Sequence, residues 1–487
     1  MTMLNSNAGT HNRRRLGIRL LALIVLWLAA IAIYHVYKPL PYGLDFSPAE
    51  RTVTSVQFLA DRTFTTADGE RHMEQQIFDA VIEMITGARR LVLVDMFLFN
   101  DFQGKVAETH RALSDELTAT LIAQKQRYPE LDVWVISDPL NSVYGGLPSR
   151  QFAELEAAGI PVTLTDLTRL RDSNPAYSAI WRLFIKPFGN SKGELLPNPF
   201  GEGRVSLRSY LAMLNFKANH RKLIIADDGH ELTALVTSAN PHDGSSAHGN
   251  VALRFNGEAA WDLFESEAAL LKFSGEPVPV PELVHIADSA TNGLTVQVVT
   301  ERAVERAALD LIDRAEPEDQ LDMAMFYLAD RHIVKALQRA AKRGVTLRIL
   351  LDPNKDAFGR EKNGVPNRPV AYELKQAGIS VRWCDTHGEQ CHSKWLMHHD
   401  AEGHSAMLLG STNFTRRNLH NLNLETNVIL RGSADVEPLQ LAQRWFDERW
   451  NNYDDRNYSV DYEAYADERL WPRILYRVME ATGLSTF

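Results

Sequence analysis

The sequence predicts an α/β protein of two similar lobes behind an N-terminal membrane-spanning helix, and three observations predict it. The first is an uninterrupted apolar run near the N-terminus. The second is a unit of helices and buried-type strands that is written twice. The third is the spacing of His-Lys and Ser-Asn pairs at the same place in each copy.

The apolar run, Leu20 to Tyr37, reads LLALIVLWLAAIAIYHVY and is broken only by His35. Its 18 residues rise about 27 Å as a helix, just enough for a bilayer core of about 30 Å. The flank before it, RRRLGIR, is basic, whereas only Lys38 follows before acidic residues begin. This asymmetry predicts a single pass with residues 1–19 in the cytoplasm, 20–37 as the anchor, and the rest on the external or periplasmic side. A cleaved signal peptide is the rival reading, with Ala30-Ile31-Ala32 as its site. The apolar run continues past that site, which favours an uncleaved inner-membrane anchor.

After a linker over 38–72, the first copy of the repeat places a helix with apolar spacing (Ile77, Val81, Ile82, Ile85) before the strand-like LVLVDMFLF, residues 91–99. The second copy places a helix around Ala307 to Ala315 before LDMAMFYL, residues 321–328. Each copy continues with a helix and a strand ending in Asp-Pro, at Asp138-Pro139 and Asp352-Pro353. Helices alternating with continuous apolar runs indicate a sheet buried on both faces. The lobes are drawn at 73–275 and 295–458. They differ by an insertion at about 166–218, since Asp138 to His220 is 82 positions and Asp352 to His392 only 40. It is rich in aromatics and prolines (Trp181, Phe184, Phe188, Phe200, Tyr210; Pro187, Pro197, Pro199). A loop of this length is a lid, a binding element or a structural flap. The last segment, 459–487, is expected to be an amphipathic helix with Trp471, Ile474, Leu475, Val478 and Met479 on one face, packed on a lobe, with membrane contact as the alternative.

The charge balance narrows the partners. The chain has 52 basic and 62 acidic residues. Five of the basic ones precede Asp45, where no acidic residue occurs, so the remainder is 47 against 62, a net −15. Such a surface argues against a general nucleic-acid binder. The two cysteines, Cys384 and Cys391, match no four-ligand zinc pattern and are a candidate disulfide in an oxidising compartment, or else two thiols in neighbouring strands.

The chemistry lies at the end of each copy. The first reads NHRKLIIADDGHELTALVTSAN, with His220, Lys222, Asp227, Ser238 and Asn240; the second reads CHSKWLMHHDAEGHSAMLLGSTNF, with His392, Lys394, Asp400, Ser411 and Asn413. One His-x-Lys arises by chance, but two in matching places, each followed by Ser-x-Asn, do not. The pair resembles the HxKxxxxD…GSxN signature of the phospholipase D superfamily, cardiolipin synthases and bacterial phospholipases D among them, over roughly residues 73–435.

That resemblance implies a mixed sheet flanked by helices in each lobe and one active site at the lobe interface. It implies a phosphodiester cleaved through a phosphohistidine, with His220 as nucleophile and His392 as general acid, or the reverse. The residue types suit this work. Lys222 and Lys394 supply point charges to the phosphate oxygens, and Asn240, Asn413, Ser238 and Ser411 supply neutral donors. A neutral imidazole attacks phosphorus and a protonated one serves the leaving alkoxide. Neither metal nor cofactor is expected. The partners expected are a phospholipid membrane and a phospholipid substrate, with water or an alcohol as acceptor. A membrane-anchored single-strand exonuclease and a non-catalytic lipid-binding protein are the alternatives.

Three departures from the signature stand out. Lys222 to Asp227 is five positions but Lys394 to Asp400 is six, with His399 in the aspartate place. A bulge between Lys394 and Asp400 is the expected cause, the alternative being His399 in place of the aspartate with a separate shift further on. Thr237 stands where the signature has glycine. The acidic residue that orients a histidine in the family is matched by Glu425 in LETNVIL. Its counterpart in SAHGNVALRF is His248, aligned through Asn250-Val251 and Asn427-Val428.

Overall fold

The computed structural model describes residues 6–104, 109–280, 283, 293–357, 360–485 and 487, with side chains from Arg13 onward. The first five residues of the expected cytoplasmic segment lie outside the described residues. Helix α1 (Ser6–Tyr37) is one continuous rod, and its stretch Arg13–Tyr37 is long and apolar enough to cross a membrane.

The repeat becomes two sheets. In chain order the first sheet is built from β1 (Val56–Ala60), β2 (Leu91–Met96), β3 (Asp132–Ser137), β4 (Val162–Leu164), β5 (Lys222–Asp227), β6 (Leu232–Thr237) and β7 (Val251–Asn256). The second is built from β8 (Thr295–Thr300), β9 (Gln320–Met325), β10 (Thr346–Leu351), β11 (Ser380–Cys384), β12 (Lys394–His399), β13 (His404–Gly410) and β14 (Thr426–Ser433). Their spatial orders are β1-β7-β6-β5-β2-β3-β4 and β8-β14-β13-β12-β9-β10-β11, the same path shifted by one copy. In both, the strands on either side of Asp-Pro run parallel and the rest antiparallel. The sheets are therefore mixed. The helices of the first copy are α2 (Ile77–Gly87), α3 (Leu113–Arg127) and α4 (Arg150–Ala157), then α5 (Pro175–Phe184) and α6 (Leu207–Met213) in the insertion, and α7 (Glu258–Ser274). Those of the second are α8 (Arg302–Arg314), α9 (Arg331–Arg343), α10 (Asn367–Gln376), the single turn α11 (Arg416–Leu419) and α12 (Glu437–Asn451), followed by α13 (Leu470–Thr482).

Alternation along each central strand assigns its two faces to different cores. In β5, Leu223 and Ile225 enter a cluster shared by both sheets, with Met407, Leu409, Val428 and Leu430 on the other side. Ile224 and Ala226 enter a second cluster with Phe78, Val81 and Leu117 of α2 and α3. A third cluster repeats that arrangement under α8, α9 and α10. Sheet against sheet, with helices outside, brings the strand ends that carry both His-Lys pairs toward one another.

Three expectations on organisation are corrected. Residues 38–72, read as a linker, supply strand β1, which pairs with β7, and Arg51–Thr52, which pairs with β8. Residues 459–487 are not all helix, because Ser459–Asp461 pairs with β11 at the edge of the second sheet and the helix begins only at Leu470. The helix face also turns. Leu475 and Met479 pack on the second-copy core, but Trp471, Ile474 and Val478 are exposed, and Tyr476 and Glu480 are buried instead. The cause is polar. Arg331 donates to the Tyr476 hydroxyl at 2.6 Å, and the backbone N–H of Arg416 donates to Glu480 at 3.0 Å.

Candidate active site

Each histidine precedes a central strand and is tied to the opposite copy by its own backbone. The N–H of His220 donates to the carbonyl of Leu424 at 2.9 Å, and the N–H of His392 donates to the carbonyl of Gly249 at 2.9 Å. The residue before each is held by the aspartate of its Asp-Pro: Asn219 N–H donates to Asp138 at 2.7 Å and Cys391 N–H to Asp352 at 2.8 Å. Burial pushes those two carboxyls up, to about 7 and about 6. The sulfurs of Cys384 and Cys391 are bonded, which ties the edge of β11 to the segment presenting His392.

The two copies then match atom for atom. Lys222 Nζ donates to the His220 carbonyl at 2.8 Å and lies over Phe97; Lys394 Nζ donates to the His392 carbonyl at 2.6 Å and lies over Phe326. Phe97 also packs on the ring of His220, and Phe326 on that of His392. Both rings are 8% exposed, buried enough to be desolvated yet reachable. Burial drives His220 down to about 4 against the opposing pull of Glu425. It drives His392 well below its usual range, helped by Lys394, and by Lys222 and His220 across the interface. Burial likewise lowers Lys222 to about 7 and Lys394 well below its ordinary value, the nearby Lys222 adding to the latter. An anion is what this group of desolvated cations lacks.

The copies differ in what holds each imidazole. Glu425 accepts from His220 Nδ1 at 3.0 Å and from Ser411 Oγ at 2.5 Å. Burial raises its pKa, but His220, Lys222 and Ser411 outweigh that and leave it below the usual range. The equivalent group at His392 is Asn250, whose Oδ1 faces His392 Nδ1 at 3.2 Å and accepts from Ser238 Oγ at 3.0 Å. This corrects the assignment of His248, which lies beside His392 at 5.7 Å between ring centres. Sheet register decides the matter. Ser238 N–H donates to Val251 and Ser411 N–H to Thr426, so Asn250 aligns with Glu425 and the Asn-Val dipeptides are out of step by two. Ser238 and Ser411 thus serve the orienting groups. Asn240 Oδ1 accepts from Leu98 N–H at 3.2 Å, beside Phe97.

Asp227 and Asp400 are not brought to the site. Asp227 ends β5, five residues or about 17 Å of strand from Lys222. Its Oδ1 accepts the N–H groups of Arg89, Arg90 and Leu91 at 2.8–3.1 Å where β2 starts. Asp400 accepts from His404 N–H at 2.7 Å in a turn. The bulge is also absent. β12 pairs with β13 and β9 in unbroken register through His399, so His399 takes the aspartate place. The extra residue lies in the turn, closed by Asp400 and His404 where the first copy uses Asp228 and Glu231. At Gly410 a Cβ would meet the carbonyl of Thr426 and the Cα of Asn427, so glycine is required there. Thr237 fits its place by donating to Val251 at 2.9 Å.

One residue had no sequence signal beyond a basic letter between His220 and Lys222. Arg221 is fully buried and donates to Glu267 and Glu301, each at 2.6 Å. The Glu301 carboxylate also accepts from Glu425 N–H at 3.2 Å, so one guanidinium couples the histidine of one copy to the orienting carboxylate of the other.

A family model described as "Cardiolipin synthase, PLD-like domain" matches residues 308–450. Those residues carry a phospholipase D-like domain. Over most of its length the chain shares its fold with a solved structure. It aligns with phosphatidylserine synthase from Haemophilus influenzae Rd KW20 at 12% identity and a TM-score of 0.54, over 89% of this chain and 94% of that one. The phospholipase D family member Nuc from Salmonella typhimurium aligns at 22% identity with a TM-score of 0.26, over 34% of this chain and 99% of Nuc. Polyphosphate kinase from Porphyromonas gingivalis aligns at 14% identity with a TM-score of 0.44, over 84% and 52% of the two chains. No curated protein sequence matches this chain.

Proposed function

We propose that this protein is a membrane-anchored phosphatidyltransferase or phospholipase D that acts on phospholipids through a phosphohistidine on His220. The observation that carries the reading is the unequal support of two otherwise matched histidines, a carboxylate behind His220 and an amide behind His392. With Nδ1 held by Glu425, Nε2 of His220 is the free nitrogen. It attacks phosphorus, and the positive charge that the ring gains is balanced by Glu425. His392 gives its proton to the departing alkoxide as the P–O bond breaks. It then takes a proton from water or an alcohol, whose oxygen displaces His220. Lys222 and Lys394 neutralise the phosphate oxygens, and the anion in turn raises the pKa of both lysines and of His392, arming the acid only when substrate is present. The lobes at 73–275 and 295–458 contribute one histidine each. The anchor, with its basic flank inside, holds this site at the external face of the membrane.

The test incubates the purified full chain with phosphatidylglycerol, with phosphatidylcholine plus an alcohol, and with single-stranded DNA. Release or exchange of a lipid headgroup, lost in His220→Ala, supports the reading. Shortened DNA with untouched lipids replaces it with the exonuclease.

A further inference from the structure

We infer that the insertion and the C-terminal helix form a platform embedded in the outer surface of the bilayer that α1 crosses, so that the enzyme lies on the membrane instead of hanging from a tether. Outside α1, fifteen large apolar side chains are exposed among the described residues, and twelve of them fall within residues 164–214 and 470–484. These stretches are about a seventh of the chain, so the clustering is far from an even scatter.

The anchor itself fixes the depth. The last turns of α1 pack along α5, through a half-buried face of Leu28, Ile31, Ala32, His35 and Val36. Between the charged Arg13–Arg15 and the packed turns, only Leu16–Trp27 projects free of the protein, and its 12 residues span about 18 Å. That is shorter than the roughly 30 Å hydrocarbon core. For α1 to cross, the turns packed on α5 must enter the bilayer, and α5 must go with them. The outward side of α5 suits that depth: Ile180, Phe184 and, just beyond it, Phe188 are exposed.

The C-terminal helix joins the same surface. Asp172 N–H donates to the carbonyl of His35 at the end of α1, and Gly483, just past α13, abuts the carbonyl of the next residue, Ser173. From there α13 presents Leu470, Trp471, Ile474 and Val478 outward, with Arg473 and Arg477 beside them. Aromatic and aliphatic residues edged by arginine are the composition of an interfacial helix. Charge points the same way. Residues 166–218 hold eight basic and four acidic groups in a chain whose part after Lys38 is net −15, a local complement to anionic headgroups. A cavity of about 460 Å³ opens within the insertion, lined by Leu167, Trp181, Ile185, Lys186 and Arg208. It also reaches Pro139 and Ser142, which follow the aspartate that holds Asn219 beside His220. A lipid rising from the bilayer meets this cavity before the histidines. The role of the cavity rests on the lipid reading above; the platform does not.

The test places the full chain in anionic lipid nanodiscs with single environment-sensitive labels at Phe188→Cys, Trp471→Cys or Tyr453→Cys, the native cysteines being paired. Lipids carrying a headgroup spin label should quench the first two labels at least threefold more than the third, which lies outside both stretches. Equal quenching at all three positions overturns the platform. The readout is independent of turnover, so an inactive protein that shows the pattern leaves the platform standing, and an active protein that lacks it leaves the chemistry standing.

Discussion

Replacing Glu425 by Gln should slow the step that forms the phosphohistidine while leaving the fold in place. The carboxylate is fully buried and accepts from His220 Nδ1 at 3.0 Å and from Ser411 Oγ at 2.5 Å. Gln has nearly the same volume, so neither bond is lost to a cavity, but the charge is. When His220 attacks phosphorus its ring becomes cationic, and the hydrogen bond to Glu425 then joins two full charges. Such a bond contributes about 1.5–3 kcal/mol where a neutral one contributes about 1. Because Gln keeps a neutral bond, the loss is the difference, about 0.5–2 kcal/mol or roughly 2- to 30-fold in rate at about 1.4 kcal/mol per tenfold. The assay is single-turnover headgroup release from a labelled phospholipid, with acid quenching to count the phosphoenzyme. Glu425→Gln should lower both the rate and the early phosphoenzyme yield, and its melting temperature should stay within a few degrees of the parent. Asn250→Ala should cost less, because the bond it removes is neutral. A Glu425→Gln enzyme as fast as the parent, set against an Asn250→Ala enzyme slowed a hundredfold, would refute the reasoning and transfer the nucleophile to His392.

Three further outcomes follow. Arg221→Met leaves Glu267 and Glu301 buried without their cation and should destabilise the protein by about 3–5 kcal/mol, read as a lowered denaturant midpoint. Asp227→Ala should cost about 1–3 kcal/mol of stability, because several N–H groups at the start of β2 lose their acceptor, with kcat unchanged in the surviving folded enzyme. In nitrogen-detected NMR of labelled histidines, His220 should stay neutral as pH falls from 7 and protonate only near 4. Its folded pKa lies below the ordinary 6.5, so the nucleophile is present above that midpoint and is lost below it. A midpoint at 6 or higher would contradict the burial argument.

Much of this was legible in the sequence. Residue spacing exposed the repeat, because a buried α/β unit needs the same order of apolar runs each time, and the Asp-Pro and His-x-Lys positions then fell at equivalent strand ends. What stayed hidden depends on hydrogen-bond register. Matching Asn-Val dipeptides selects His248 in place of Asn250 because it compares letters, whereas the backbone pairs Ser238 with Val251 and Ser411 with Thr426. The one-residue difference before Asp400 was assigned to a strand when a turn absorbed it at less cost to the ladder. Arg221 looked like any surface base, since burial of an arginine is visible only once two carboxylates converge on it. The C-terminal helix had apolar residues on more than half its circumference, and polar contacts of Tyr476 and Glu480, rather than hydrophobicity, chose which side went in.

Glu425 behind one histidine and Asn250 behind the other set the charge of the site. With the histidines neutral and both lysines protonated, as the bound anion favours, Lys222, Lys394 and Glu425 total +1, equal and opposite to a phosphodiester. A second carboxylate at position 250 would bring the site to zero and remove the net attraction for the substrate. It would also stabilise the protonated form of His392 permanently, where the chemistry needs a proton that arrives with the anion and leaves with the alkoxide. No carboxylate at either place would give an attraction of +2 but no counter-charge for the cationic ring formed on attack. One acid and one amide is the combination that serves binding and both proton states. Duplication of a lobe supplies a matched pair of histidines, and a difference at one buried position is enough to give them separate roles.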